Sequence, residues 1–236
     1  MSRRLTSAIV TSGFCLWLSL AAYAQDNGVE LNVFGGGSWS SLKRYEIGFP
    51  QSATPVFGEF RLDNALRAGL RVGVYTRGHW SEEFFYSYEP NKAFITTPSS
   101  SLALSIGVHN YGINGLYYFH EDESRTVRPF ISLGLGGVFY RLTSESVAFV
   151  HDPLRGNLPN AKNSNEVALN YGLGVKYRTM RWLGFRADVR GSIGGSPAFG
   201  LAKSSSDPAA SVLPVSGPLQ NAEATVGLVF YFFPKR

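Results

Sequence analysis

The chain has 236 residues, a formal net charge of +5 and 26 glycines, and 14% of its residues are aromatic. A length of this order suits a single all-β barrel. The small positive charge is spread along the chain and does not indicate nucleic-acid binding. Mean hydropathy is near zero and the apolar runs are short, which excludes a helical membrane protein. The composition leaves open a barrel whose strands alternate apolar and polar residues.

Residues 1–24 have the pattern of a secretory signal peptide. Arg3-Arg4 supplies the positive start, Ala8–Leu20 a short apolar run, and Ala22-Tyr23-Ala24 a small-residue cleavage site. We therefore expect an exported mature domain at residues 25–236. The single cysteine, Cys15, lies in the part to be removed, so neither disulfides nor thiolate metal sites are expected.

Period-2 alternation of apolar and polar side chains recurs along the rest of the chain, as β-strands with two different faces require. It is clearest in Glu166–Thr179, where one face is apolar and the other is polar or glycine. Eight strands are predicted in this way: Val29–Trp39, Leu66–Thr76, Trp80–Tyr88, Leu102–Phe119, Val127–Ser144, Glu166–Thr179, Leu183–Gly191 and Ala222–Phe232.

One of these strands, Leu102–Phe119, changes phase midway. Its apolar residues occupy even positions up to Val108 and odd positions from Tyr111 onward. Because a β-bulge absorbs a slip of one residue, we predict a bulge near His109-Asn110.

The predicted connections alternate in length. Those at Arg77–His79, His120–Thr126 and Met180–Trp182 are short, and those at Ser40–Ala65, Glu89–Ser101, Glu145–Ser164 and Ser192–Asn221 are long. This alternation is typical of a barrel with tight periplasmic turns and long external loops. The sequence therefore predicts an all-β fold: an eight-stranded antiparallel up-and-down transmembrane β-barrel. Its first and last strands must pair, because an open edge in hydrocarbon leaves backbone groups without partners.

Strand phase also predicts which side chains face the lumen and which face lipid. Charged residues of both signs are expected inside, where they satisfy one another: Glu30, Arg67, Arg71, Glu83, Glu166, Lys176, Arg178, Arg186, Asp188, Arg190 and Glu223. Apolar residues are expected outside, including Leu70, Val72, Leu173, Val175, Phe185, Val189 and Leu228. With eight strands such an interior is filled by side chains and leaves no open channel.

Aromatic residues gather at the strand ends beside the short turns, which favours a girdle at the level of the lipid headgroups. The set comprises Trp80, Tyr117, Tyr118, Phe119, Phe130, Tyr177, Trp182 and Phe230–Phe233.

Three segments resemble the small outer-membrane β-barrel domain family, which includes the OmpA- and OmpX-like eight-stranded barrels. Arg128-Pro129-Phe130-Ile131 followed by Gly134-Leu135-Gly136 is similar to that family's fifth strand, and Phe185–Arg190 to its seventh. Ala224–Phe232 resembles the aromatic-ended closing strand that the barrel-assembly machinery reads, although Pro234-Lys235-Arg236 follow it here. The resemblance implies the outer membrane of a Gram-negative bacterium and an interaction with that machinery during biogenesis.

The sequence offers no catalytic, cofactor-binding or metal-binding residues that we would assign. Of the four histidines, His79, His120 and His151 fall in predicted turns or loops, where solvated side chains are ordinary. Lipid A deacylases of the outer membrane use an outward-facing histidine and serine with Ser and Asn just after the His. The sequence His109-Asn110-Tyr111-Gly112 lacks that serine.

We therefore expect a non-enzymatic integral outer-membrane protein with a packed polar lumen and surface loops for structural or adhesive contacts. Its expected partners are outer-membrane lipids and lipopolysaccharide, with no cofactor and no nucleic acid, and it is expected to be a monomer. Two alternatives stay open at this point: a lipid-modifying hydrolase, and a secreted lipocalin-like barrel. The second needs an apolar interior and a polar exterior.

Overall fold

The computed structural model describes residues 28–47, 56–75, 78–97, 100–121, 126–155, 158–201, 213, 215 and 217–232. Within these residues the chain forms ten β-strands and one helix. The strands are β1 (Val29–Ser40), β2 (Lys43–Ile47), β3 (Val56–Leu62), β4 (Ala65–Tyr75), β5 (Trp80–Thr97), β6 (Ser100–Tyr118), β7 (Val127–Leu142), β8 (Ser164–Arg178), β9 (Leu183–Gly195) and β10 (Pro218–Phe232). The helix, α1, spans Ser144–His151.

Both ends of the chain lie outside the described residues, including the predicted signal peptide at 1–24 and the tail Pro234–Arg236. Among the described residues, no helix is long and apolar enough to cross a membrane.

Eight strands close into an antiparallel barrel, as predicted. β1 pairs with β4 on one side and with β10 on the other, and the remaining barrel strands follow in chain order. The seam between β1 and β10 runs without interruption from Val29 opposite Phe232 to Ser40 opposite Asn221. Gly36 lies at this seam, where a Cβ would collide with the carbonyl oxygen of Ala224. The two backbones therefore approach closely because this position carries no side chain.

The two ends of the barrel differ, and this fixes its orientation. The connections from β4 to β5, β6 to β7 and β8 to β9 are short and lie at one end, together with the beginning of β1 and the end of β10. Barrels of this kind place short turns in the periplasm and longer elements outside. The opposite end, with α1 and the extra hairpin, is therefore the external one.

The external segments contain more regular structure than predicted. Ser40–Ala65 was expected to be a loop, but it holds the β2–β3 hairpin, and β3 pairs with β5 from Glu59 opposite Thr96 to Leu62 opposite Ala93. The predicted loop Glu145–Ser164 begins with α1, which Thr143 caps by accepting a hydrogen bond from the Ser146 amide at 3.3 Å. The sequence prediction relied on alternation of period 2, which a helix does not show and which the short hairpin strands are too brief to display clearly.

The predicted long loop at Glu89–Ser101 is wrong. β5 continues to Thr97 and β6 begins at Ser100, with continuous pairing from Trp80 opposite Tyr117 to Thr97 opposite Ser100. At about 3.3 Å per residue these two strands are much longer than the hydrocarbon layer requires, so their upper halves project beyond the membrane.

The predicted bulge at His109-Asn110 is also wrong. His109 pairs with Tyr88 and Phe139 in an unbroken register on both sides, and no residue is inserted. Even-numbered residues of β6 point inward throughout, from Leu104 to Tyr118. What changes at this height is the environment on the two sides of the strand, not the register of the strand.

This change of environment is a polarity switch. Just below it the outward side chains are apolar, such as Ile113, and the inward ones are polar, such as Asn114. Above it the inward side chains are apolar, such as Ile106. β7 switches at the same level, from Leu135 outside to Val138 inside. Below the switch, the apolar outer wall suits contact with lipid. Above it, an apolar interior is typical of a domain surrounded by water. The switch therefore marks the outer edge of the membrane. We call the part above it the barrel extension.

Candidate functional site

The lumen at membrane level is filled by a network of ion pairs. Its members are five basic and five acidic residues, which we call the lumen network: Arg67, Arg71, Lys176, Arg186 and Arg190 with Glu30, Glu83, Glu89, Asp188 and Glu223. All are buried except Glu223, whose side chain is 12% exposed. Formal charges therefore balance within the group, as buried charges require.

Asp188 is the centre of this network. Its carboxylate accepts hydrogen bonds from Arg71 at 3.1 Å, from Arg186 at 2.8 Å and from Arg190 at 3.0 Å. Strand β9 carries Arg186, Asp188 and Arg190 at alternate positions, so all three side chains point to the same, inner face. Strands β4 and β5, which do not pair with β9, supply Arg71 and Glu83 from elsewhere around the lumen. Arg190 donates to the Glu83 carboxylate at 2.7 Å.

Three further ion pairs extend the network toward the ends of the membrane-level lumen. Near the periplasmic end Lys176 donates to Glu30 and, at 2.5 Å, to the Tyr118 hydroxyl. Near the outer end Arg67 donates to Glu89 at 2.7 Å and to Glu223. The sequence predicts a loop at Glu89, which is wrong: the residue lies in β5 and is fully buried.

The structure confirms the predicted orientation of most of the charged side chains toward the lumen and of the apolar side chains toward lipid. Arg67, Arg71, Lys176, Arg186, Asp188 and Arg190 are buried inside, with Glu223 nearly so. Leu70, Val72, Leu173, Val175, Phe185, Val189 and Leu228 are exposed outside. Glu166 and Arg178 are only half-buried. This distribution contradicts a lipocalin-like barrel at membrane level, which needs an apolar interior.

The lumen network lies between two apolar layers. The lower apolar layer closes the periplasmic end and consists of Leu116, Tyr118, Phe130, Val229 and Tyr231. The sequence predicts Tyr118, Phe130 and Tyr231 in the aromatic girdle, which is wrong: these three rings point inward. The girdle prediction holds for Trp80, Phe119, Tyr177 and Trp182, which are exposed on the outer wall.

The barrel extension has an apolar core of its own, here called the upper apolar core. It includes Phe60 of β3, Ala93 and Ile95 of β5, Leu104, Ile106 and Val108 of β6, Val138, Tyr140 and Leu142 of β7, Val150 of α1, and three residues between β9 and β10, which are Phe199, Leu213 and Val215. Tyr45 of β2 also belongs to this core, and burial raises the pKa of the Tyr45 and Tyr140 phenols.

Phe199 covers this core from the external side. Its ring lies 6.3 Å from both the Phe60 and Tyr140 rings and is fully buried. Its backbone has φ of 48°, a left-handed conformation that is unfavourable for a bulky residue. The amide of Lys162 donates to the Phe199 carbonyl at 2.8 Å, which holds this segment in place. Ring burial thus outweighs the local backbone strain.

The histidines lie apart from one another. His79 contacts the Tyr118 carbonyl at 2.6 Å in a periplasmic turn, and His151 contacts the Ala161 carbonyl at 2.9 Å at the end of α1. His109 faces outward at the polarity switch, where its Nδ1 lies 2.7 Å from the Tyr86 hydroxyl. Among the described residues, no group of three or more His, Cys, Asp or Glu side chains is placed to hold a metal ion.

A groove in the outer wall adjoins His109. It is lined by Tyr86, Tyr88, Gly107, His109, Arg141 and Ser144, together with Leu142 and Thr143, and has a volume of about 500 Å³. We call it the rim notch. Sequence reasoning found His109 but missed Arg141 and Ser144, because only the pairing of β6 with β7 brings residues so distant in the chain together.

The overall arrangement is shared with solved membrane proteins. The chain superposes on the outer-membrane protein OprG of Pseudomonas aeruginosa with a TM-score of 0.56, at 13% identity over 89% of this chain and 97% of that one. The chain is an outer-membrane β-barrel protein. Its interior charges and apolar outer wall independently indicate that lipid surrounds the barrel.

Two further structures show the same fold. The barrel protein matches AlkL, an outer-membrane protein studied in lipid bilayers, with a TM-score of 0.51 at 13% identity, covering 89% of this chain and 91% of AlkL. It matches Neisserial surface protein A with a TM-score of 0.50 at 12% identity, covering 87% and 96%. No protein-family model and no curated protein matches the sequence. At such low identities the likeness concerns the fold.

Proposed function

We propose that this barrel protein is a non-enzymatic, non-conducting membrane anchor whose folded extension makes structural or adhesive contacts outside the cell. The single observation that carries the proposal is the stack inside the barrel: an apolar layer, a charge-balanced ion-pair network and a second apolar core. A hydrated ion entering this stack would have to displace paired charges from one another. The cost of leaving a buried charge unpaired is about 3–5 kcal/mol.

The extension supports the second half of the proposal. Its strands and α1 enclose an apolar core, so it holds a fixed shape outside the membrane instead of lying as loose loops. Binding residues are commonly carried on such external elements, positioned by a rigid scaffold. We propose outer-membrane lipids and lipopolysaccharide as its nearest partners, the barrel-assembly machinery as its partner in biogenesis, and a monomer as its working state.

Conductance across a planar lipid bilayer tests the closed lumen. After insertion of the refolded protein, we expect no stepwise ion current at voltages where a large-diameter porin, run as the control, conducts steadily. A regular unitary current from the wild-type protein would refute the non-conducting proposal.

A lipid-modifying hydrolase is the second candidate, because Ser144 and His109 line the same notch. We favour the non-enzymatic proposal because the hydrogen bond of His109 Nδ1 is made with a phenol, that of Tyr86, and not with a carboxylate that would orient a catalytic histidine. Expression of the protein should therefore leave the lipid A mass spectrum unchanged. The hydrolase would be established instead if lipid A lost an acyl chain on expression of the wild type and kept it on expression of either Ser144→Ala or His109→Gln.

A further inference from the structure

The rim notch is a gap in the outer wall at the height of the polarity switch. Gly107 forms its floor, and its strand neighbours are Pro90 on β5 and Arg141 on β7. A Cβ on Gly107 would lie 3.0 Å from the ring of Tyr88 and 3.5 Å from His109 Nε2, so a side chain at this position would occupy the notch. The notch opens outward, away from the lumen network.

Basic side chains flank the notch on two strands. Arg141 is exposed on β7, and among the described residues no carboxylate forms an ion pair with it. Lys92 is exposed on β5, opposite Ser105 of β6 and therefore one outward position above the floor. Both cations sit on the outer wall, where a membrane-embedded ligand can reach them.

His109 supplies a further donor at the lower edge. When the Tyr86 hydroxyl donates to Nδ1 at 2.7 Å, the neutral imidazole carries its proton on Nε2. That nitrogen lies 3.5 Å from the position that a Cβ of Gly107 would occupy, so it faces the notch. The rings of Tyr88 and Phe139, with centroids 5.0 and 5.9 Å away, hold the imidazole in this orientation.

The height of the notch selects the kind of ligand. Directly below it on β6 are the lipid-facing side chains Tyr111 and Ile113, and above it the wall faces water. Amphipathic aromatic rings and cationic ends gather at the headgroup level of a bilayer, and guanidinium groups bind phosphate in a two-point geometry. We propose that the rim notch binds the phosphate of an outer-leaflet lipid A molecule, with Arg141 as the main contact and His109 and Lys92 as secondary donors.

A lipid fits these observations better than free phosphate. An exposed arginine in water gains little from a single anion, because both are well solvated. A lipid holds its phosphate at the level of Arg141 while its acyl chains lie along the apolar wall below, beside Ile113. The membrane therefore already positions the phosphate near the notch, which lowers the entropic cost of binding it. The inference rests on the membrane placement of the proposed function but is independent of whether the lumen conducts.

Native mass spectrometry of the refolded barrel tests this with defined lipids. The wild-type protein in mild detergent is titrated with bisphosphorylated lipid A, with fully dephosphorylated lipid A, and with bisphosphorylated lipid A plus excess inorganic phosphate. We expect retention of the phosphorylated lipid that is roughly tenfold stronger than that of the dephosphorylated one, because charge-assisted bonds to phosphate are lost. Inorganic phosphate should not compete.

Arg141→Gln should lower retention of the phosphorylated lipid to the level of the dephosphorylated one. Arg155→Gln is the matched control, since Arg155 is an exposed external arginine, 3.6 Å from Asp152 and outside the notch, and it should behave as wild type. Tyr86→Phe, which removes the hydroxyl that orients His109, should weaken retention by a smaller factor. Heat-modifiability on a gel verifies that each variant is folded.

Three results would overturn the inference: equal retention of the two lipids by the wild type, unchanged retention in folded Arg141→Gln, or displacement of the lipid by inorganic phosphate, which would indicate a free-anion site. A barrel that conducts ions yet retains phosphorylated lipid A through Arg141 would refute the proposed function and leave this inference standing.

Discussion

At the residue scale, Asp188 shows how the barrel tolerates so many charges in its interior. Three arginines and the Thr225 hydroxyl donate to its carboxylate, so its negative charge is fully satisfied without water. Removing it leaves Arg71, Arg186 and Arg190 crowded together with one carboxylate fewer between them. The network is therefore sensitive to the loss of a single member although it holds no excess charge.

Asp188→Asn should lower the free energy of unfolding by about 3–5 kcal/mol, the cost of breaking a buried ion pair from one side. Urea unfolding of the protein refolded into lipid vesicles measures it. Glu59→Gln is the control, because its ion pair with Arg44 is exposed on the β2–β3 hairpin and should contribute at most about 1 kcal/mol. Equal losses in the two variants would show that the lumen network is hydrated and not buried.

Residue facing could be predicted wherever a strand kept one pattern through the membrane. Lys176, Arg186 and Asp188 were assigned correctly to the lumen because their neighbours in sequence are apolar and face lipid. Glu89 could not be, since it lies where β5 leaves the membrane and the residues after it, Pro90, Asn91 and Lys92, resemble a loop in composition. Its burial depends on Arg67 of the neighbouring strand.

At the element scale, β6 is the strand that crosses both environments. The sequence showed its change of apolar phase correctly, but an inserted residue and a change of solvent produce the same pattern in a single strand. The register with β5 and β7 distinguishes them, and it is continuous. The change of apolar phase in β7 at the same height favours the change of solvent, because an inserted residue in β6 would leave β7 unaffected.

A matched pair of substitutions on the outer face of β6 tests the polarity switch. Ile113→Arg places a charge against the acyl chains and should cost about 2–4 kcal/mol, whereas Ala103→Arg lies above the membrane and should cost at most about 1 kcal/mol. The folded, heat-modifiable fraction recovered from outer membranes measures the difference. Comparable losses at both positions would mean that the strand does not leave the bilayer where we place its outer edge.

At the scale of the whole molecule, the architecture was predictable and the extension was not. Eight strands, their antiparallel closure and the short periplasmic turns follow from local alternation and spacing, which the lipid imposes on every strand. The upper apolar core consists of residues from β3, β5, β6, β7, α1 and the segment between β9 and β10. These residues are far apart in the chain, so no local sequence pattern predicts the core. The rim notch likewise depends on strand register.

The account as a whole depends on one claim, that the outer wall passes from lipid to water at a single level. Spin labels placed singly at the outward positions of β7 measure this directly through their accessibility to oxygen, which concentrates in the bilayer, and to a nickel chelate, which stays in water. Labels replacing Ile131, Leu133 and Leu135 should be accessible to oxygen and shielded from nickel, and a label replacing Arg141 should show the reverse. Nickel accessibility at all four positions would contradict the membrane barrel, and oxygen accessibility at all four would contradict the extension.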